Sequence, residues 1–265
     1  MDARSEPDEP GEVISGGTGG VGRPGEAIGS GTGGIGRPGE AVFDGTGERA
    51  AGERPARVPI ADDVVLLPGR AAPTASLIEA IEGVAAVAPF RRLRTPGGGT
   101  MSVAMTNCGS WGRHSDARGY RYVERDPRTD RPWGPMPAAF ATLAAQAAAE
   151  AGFPGFEPDA CLVNRYEVGT QMGAHRDFDE LDLRHPIVSV SIGLPAQVLW
   201  YGARRSGTPR RIELRDGDVL VWGGRARAGY HGVRRIAAPD LLATAAPRAA
   251  RGLSLRDNQT FRRAK

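Results

Sequence analysis

MGAHRDFDELDLRHPIVSV, Met172 to Val190, places His175 and Asp177 two residues apart, just ahead of an alternating apolar run. In an extended chain, positions i and i+2 project to the same side. An imidazole nitrogen and a carboxylate oxygen can then converge on one small volume. Taken alone, an HxD pair is more often a hydrogen-bonded surface pair than a metal site. A third ligand has to come from elsewhere, and the other histidines are His114, His185 and His231. His231 is the best placed, in GYHGV just after the strand-like run DVLVWGG. Two histidines and one carboxylate on one face of a metal leave the opposite face open, as non-haem ferrous sites require.

The alternation that begins at Ile187 recurs down the chain. Ala160 to Tyr166, Ile187 to Leu194, Gln197 to Tyr201, Arg211 to Leu214, Asp218 to Trp222 and Leu253 to Arg256 each read as a strand. Pro, Gly and Asp turns separate them, so the second half reads as an antiparallel sandwich. Two helices are expected upstream, covering one sheet. Pro137 to Ala151 opens on proline, is filled with alanine, turns Phe140, Leu143 and Ala147 inward, and ends at Gly152. Pro73 to Glu82 sets Leu77, Ile78 and Ile81 on one side. Ile60 to Gly69 reads as one short strand ending in a Pro-Gly turn, and Met101 to Asn107 as another strand. Around the latter lie Arg91, Arg92, Arg94, Arg113 and Trp111, with Tyr120, Tyr122 and Trp133 soon after. Guanidiniums mixed with aromatics suit phosphate contact and base stacking, although a solvated loop with packed aromatics has the same composition.

The first 57 of the 265 residues hold 16 glycines and few large apolar side chains. PGEVISGGTGGVGR from Pro10 recurs from Pro24 and, truncated, from Pro38. Such a repeat cannot repay the entropy of ordering its glycines, so residues 1–57 are expected to be a disordered tail. Its GGTGGVG has neither strand, helix nor lysine around it and is no phosphate loop. Residues 58–265 are long enough for one well-buried domain. The tail carries ten acids and six arginines, so the formal +3 of the whole chain becomes about +7 for the remainder. That balance suits an anionic partner, or equally an arginine-rich solvated face. Cys108 and Cys161 form no metal-binding spacing and are expected as buried thiols in a reducing compartment. No 18-residue apolar run occurs, and MDARSEPDEP is unlike a secretory leader, so no membrane partner and a cytoplasmic location are expected.

Several runs together resemble a known family. PGGGTMSVAMTNCG from Pro96, RPWGPMP from Arg131, PDACLVNRY from Pro158, HRD at 175–177, DLRHPIVSVSIGLPA from Asp182, GDVLVWGG from Gly217, YHGV from Tyr230 and RDNQTFR from Arg256 are similar, in order, to the AlkB family of Fe(II)/2-oxoglutarate-dependent DNA repair dioxygenases. The resemblance covers roughly residues 60 to 264. It implies a mainly β fold with flanking helices, a double-stranded β-helix (jelly roll) with an N-terminal nucleotide-recognition lid within residues 58–135.

The resemblance further implies that His175, Asp177 and His231 hold Fe(II). It assigns 2-oxoglutarate to Asn164, Tyr166, Arg256, Asn258 and Arg262, with Arg262 on the distal carboxylate. By pattern alone, Tyr166 and Asn258 could equally form a buried hydrogen-bonded pair. Asp179 and Arg205 match a substrate-side acid and base, and Met105, Tyr120 and Ser189 match positions around the lesion or the backbone. Arg113 stands where the family has a base-stacking tryptophan, with Trp111 two residues earlier, and Gly99 replaces a lid tyrosine. Either Trp111 stacks on the base, or the base packs between His175 and the plane of Arg113. The implied reaction consumes 2-oxoglutarate and O2, hydroxylates a methyl group on a base nitrogen, and releases formaldehyde, succinate and CO2. The expected partner is single-stranded or locally unpaired DNA carrying 1-methyladenine or 3-methylcytosine, with RNA as an alternative, and the expected state is a monomer. The competing readings are a related oxygenase of a protein or small molecule, and an inactive nucleic-acid binding module.

Overall fold

The computed structural model describes residues 54–238 and 255–265; the glycine repeat lies outside them. Two antiparallel sheets form the centre. The larger runs in the order β1 (Val58–Ala61), β2 (Val64–Leu67), β13 (Val219–Trp222), β10 (Ile187–Gly193), β15 (Leu255–Arg262), β8 (Ala160–Glu167) and β3 (Ala104–Gly109). The smaller runs β12 (Arg210–Leu214), β11 (Ala196–Gly202), β14 (Tyr230–Val233) and β9 (Met172–His175). Two short ribbons, β4 (Gly112–Asp116) with β5 (Gly119–Val123) and β6 (Arg125–Asp126) with β7 (Arg131–Pro132), lie between β3 and the second helix in the chain.

Period-2 patterning decides what each sheet face meets. From the larger sheet Val65, Leu67, Val188, Val190, Val219, Val221 and Phe261 pack under the two helices, α1 (Ala75–Val87) and α2 (Ala138–Ala151). Their neighbours Val64, Leu66, Ile187, Leu220 and Trp222 point the other way and meet Val198, Trp200, Ile212 and Leu214 of the smaller sheet. The helices therefore cover one face, and the two sheets enclose the rest. In α2 the buried stripe is Phe140, Ala144, Ala147, Ala148 and Ala151, with Leu143 half-buried beside it. The helix stops at Gly152, whose φ of 103° suits a residue without a side chain. Among the described residues no helix is long and apolar enough to cross a membrane.

Three strand expectations change, and the first helix, expected to end at Glu82, continues to Val87. The run Ile60 to Gly69 is not one strand: β1 and β2 form a hairpin turned at Asp62-Asp63, with Asp63 at φ 58°. The strand expected at Met101 begins at Ala104 and continues to Gly109. The final strand runs six residues further than expected, to Arg262, which gives it four cavity-facing positions instead of one.

Candidate active site

His231 on β14 lies directly across from His175 on β9, and Trp200 of β11 flanks it on the other side. Directly opposed residues of an antiparallel pair bring their side chains close, and here the imidazole centroids are 4.5 Å apart. Gly232 permits this pairing, because a Cβ there would stand 2.9 Å from the Met172 carbonyl oxygen. Asp177 follows two residues after the end of β9, and its Oδ2 is 3.7 Å from His231 Nε2. One ligand atom from each of the three residues falls within 4.8 Å of the other two. Each imidazole gives its Nδ1 to a carbonyl two residues back, Gly173 at 2.9 Å and Gly229 at 3.0 Å. A carbonyl only accepts, so Nδ1 carries the hydrogen and Nε2 presents its lone pair inward. Burial lowers the His175 pKa and takes that of His231 down to about 4, with help from the neighbouring imidazole. Both rings are thus neutral, as ligands must be.

Asp177 is fully buried and gripped by two guanidiniums. Arg113 Nη1 donates to its Oδ1 at 2.5 Å, and Arg262 Nη2 to its Oδ2 at 2.8 Å. Burial alone would push the carboxyl up, but Arg262 and Arg113 outweigh it and hold Asp177 well below the usual carboxylate range. A second buried acid, Glu180, stands behind. Tyr122 donates its hydroxyl to Glu180 at 2.6 Å, while Arg227 Nη2 and Arg262 Nε lie 3.0 and 3.2 Å away, at ion-pair distance without hydrogen-bond alignment. Arg227 also donates to the backbone carbonyls of Asp177 and His185, at 2.9 Å each, which fixes the loop carrying the aspartate. Neither Glu180 nor Arg227 is visible as functional from sequence. Their only signal is a charged residue flanking each ligand motif.

The triad opens into a cavity of about 420 Å³. Along β15 the alternate residues Arg256, Asn258, Thr260 and Arg262 line it, while Asp257 and Phe261 point away, the former to Arg165 and the latter into the helix-side core. Asn164 and Tyr166 of β8 and Ser189 of β10 complete that wall. Arg262 sits at the metal end, on Asp177, and so is not the free fork expected for a distal carboxylate. Arg256, six residues along the same strand face, has no carboxylate within ion-pair distance among the described residues. It donates to the Leu194 carbonyl at 3.2 Å and Ser191 Oγ at 2.8 Å, and its Nε is buried without a partner. Burial brings its pKa down to about 10. Asn164 Oδ1 is likewise buried and unpartnered. Tyr166 and Asn258 do not bond to one another. Tyr166 reaches the Met172 sulfur at 3.8 Å, and Asn258 donates to Ser189 Oγ and the Val190 carbonyl.

Met105, Arg113, Tyr120, Asp179, Ser189 and Arg205 all border the same cavity. Trp111 does not. It packs beside Tyr122, Ala160 and Ala264 with the Lys265 ammonium over its ring, so the expectation that it stacks on a base is not matched. Arg113 is not an open stacking plane either, because its two terminal nitrogens are committed to Asp177 and Asp179. At the rim the Arg176 guanidinium lies over both Phe178, at 4.8 Å, and Tyr230, at 5.3 Å; Phe178 is 52% exposed. Of the arginines expected to face nucleic acid, Arg91 is instead drawn inward onto Asp126 at 2.7 Å.

Comparison with known proteins agrees with this geometry. Residues 63–262 match the model of the 2OG-Fe(II) oxygenase superfamily. Over 189 residues the chain is 50% identical to the alpha-ketoglutarate-dependent dioxygenase AlkB of Salmonella typhimurium and 48% identical to that of Escherichia coli, covering 71% of this chain and 88% of each relative. The solved structure of OsALKBH1 superposes with a TM-score of 0.63 at 25% identity, covering 78% of this chain and 99% of that one.

Proposed function

The chain belongs to the AlkB family within the 2OG-Fe(II) oxygenase superfamily, and from that premise we propose that it removes methyl groups oxidatively from the Watson–Crick nitrogens of nucleobases in DNA, 1-methyladenine and 3-methylcytosine among them, with RNA as a second polymer. The observation that carries the reading is the His175, Asp177 and His231 cluster, set in a cavity that is also lined by Arg256, a buried arginine whose Nε has no hydrogen-bond partner. Two neutral imidazole nitrogens and one ionised carboxylate are a donor set that fits Fe(II). Bound there with 2-oxoglutarate and O2, the iron supplies the oxidation of a methyl C–H bond, the co-substrate leaving as succinate and CO2 and the hydroxymethyl base shedding formaldehyde.

The protein's own part is placement and polarity. Arg256, rather than Arg262, is our choice for the far carboxylate of 2-oxoglutarate, because its Nε lacks a partner and a guanidinium fork suits a carboxylate. Asn164, Asn258 and Tyr166 line the path between. Arg262 serves Asp177 and holds it ionised. Trp200 and Trp222 pack around His231 with ring centroids 6.0 and 5.0 Å away and shield it from water. Because this site is enclosed, a target base must leave its stack to enter, which favours single-stranded or locally unpaired polymer. Arg176 and Phe178 at the rim suit a phosphate and a neighbouring base.

We read the two facing sheets as the halves of a double-stranded β-helix, residues 58–265 as the catalytic domain and the β4–β5 ribbon as part of a substrate lid. Action as a monomer is part of the same proposal. The test is an assay with Fe(II) and 2-oxoglutarate on single-stranded DNA and RNA oligonucleotides carrying each lesion. Formaldehyde release matched to succinate is expected, and no turnover of any lesion by metal-loaded protein overturns the reading.

A further inference from the structure

Arg113 lines the cavity beside His175, Asp179 and His231, and its surroundings are well defined. Its backbone on β4 is clamped by Asn107, whose side chain accepts from the Arg113 N–H at 2.9 Å and donates to the Arg113 carbonyl at 3.2 Å. Its side chain is only 11% exposed, and the guanidinium carbon lies 5.3 Å from the Tyr120 ring centroid. One terminal nitrogen binds Asp177, and the other binds Asp179 Oδ2 at 2.6 Å. Its Nε is buried and has no partner.

The consequence is electrostatic. Asp179 lines the same cavity, but its charge is already matched by a guanidinium. Asp177 and Glu180 are matched by Arg113, Arg262 and Arg227. Arg205 borders the same cavity and makes no ion pair among the described residues. No carboxylate at this mouth is therefore spare; the uncommitted charge is the positive one of Arg205, and Arg113 keeps an unpartnered Nε. Methylated nucleobases fall into two chemical classes. Methylation at N1 of adenine or N3 of cytosine leaves a base that is cationic near neutral pH and carries an amine on its pairing edge. Methylation at N1 of guanine or N3 of thymine leaves a neutral base with a carbonyl oxygen at the corresponding place. A guanidinium repels the first class and donates to the carbonyl of the second.

We propose that Arg113 makes this active site favour neutral, carbonyl-bearing lesions, 1-methylguanine and 3-methylthymine, over the cationic pair. The proposal rests on the demethylase reading and adds an order of substrates to it. Asp179 then acts mainly by aiming Arg113, and Arg113 touches the base.

The experiment uses the full chain and four single-stranded DNA oligonucleotides that differ only in the lesion. Two quantities are read: kcat/KM from formaldehyde release, and affinity by fluorescence anisotropy with Mn(II) in place of iron and no 2-oxoglutarate. For the natural sequence, the neutral lesions are expected to bind more tightly and turn over faster. Arg113→Leu removes the cation and should shift both ratios roughly tenfold toward the cationic lesions, the scale of one hydrogen bond involving a charged group. Asp179→Asn removes the matching carboxylate and should move the ratios the opposite way, which keeps the test decisive if Arg113→Leu does not fold. A natural enzyme that prefers cationic lesions, or lesion ratios unmoved by both substitutions, overturns the proposal while leaving the demethylase reading intact. Absence of turnover on all four lesions overturns the demethylase reading, and the proposal with it.

Discussion

Replacing Glu180 with glutamine tests whether the buried charges behind the metal ligands act as a unit. Glutamine preserves the shape and can still accept from Tyr122, so the change removes charge alone. Two arginines face that charge, but they do not suffer equally. Arg262 keeps Asp177 at 2.8 Å, whereas among the described residues Arg227 has Glu180 as its carboxylate partner and otherwise the carbonyls of His185 and Asp177. One buried charge is therefore left uncompensated, not two. Losing one partner of a buried pair costs about 3–5 kcal/mol, and the lower end applies because the carbonyls remain. For a domain of this size that corresponds to a Tm lower by roughly 6–12 °C. Urea denaturation should show the midpoint falling with the slope unchanged. Tyr122→Phe, which removes one hydrogen bond and no charge, should cost about 1–2 kcal/mol. The reasoning fails if Glu180→Gln lies within about 0.5 kcal/mol of the natural protein, or if Tyr122→Phe is the more damaging change.

Four further outcomes are expected. Burial, helped by His175, lowers the His231 pKa to about 4, so protons compete for this ligand only near that value; Mn(II) affinity should stay nearly flat from pH 7 to 5.5, where an ordinary imidazole would already be losing it. By the same shift the unfolded chain takes up a proton near pH 6.5 that the metal-free fold refuses until about pH 4, so its stability should decline as pH falls through that window, as denaturation midpoints would record. Arg256→Leu should raise the KM for 2-oxoglutarate on the order of tenfold or more with Mn(II) affinity unchanged, whereas Arg262→Leu should weaken Mn(II) binding first; the reverse pattern would return the distal carboxylate to Arg262. Deleting residues 1–50 should leave kcat/KM on a methylated oligonucleotide within about twofold, and a larger loss would give the glycine repeat a part in substrate binding.

What could be read from the chain follows the range of the forces involved. The strands β8, β10, β11, β12 and β13 were legible because their alternation is a local consequence of having one face against helices or another sheet. The helix α2 was legible from its opening proline and its closing glycine. The β1–β2 hairpin was not, because its turn uses Asp62-Asp63 rather than a glycine, and Asp63 takes φ 58° without any compositional signal. β14 is four residues long and includes a glycine needed for the close approach of β9, which hides it from propensity. The metal triad was legible by type and spacing. Its electrostatic support was not, since Arg113, Arg227 and Arg262 reach their acids across 47 to 85 residues of chain, and nothing local says which acid each will choose.

The double grip on Asp177 also settles how a metal can enter without dismantling the site. Two guanidiniums on one carboxylate could mean that the ion must displace both. A carboxylate, however, offers about four lone-pair directions on its two oxygens, and Arg113 and Arg262 occupy one each. The direction toward His231 remains, where Oδ2 faces Nε2 at 3.7 Å with no hydrogen bond between them. A dication taking that position adds charge beside two arginines, an unfavourable addition, yet both are anchored elsewhere, Arg262 toward Glu180 and Arg113 on Asp179. Those second anchors hold both guanidiniums at the site independently of Asp177. Glu180 and Asp179 are thus what allows one aspartate to be kept ionised before the metal arrives and still be available to it afterwards.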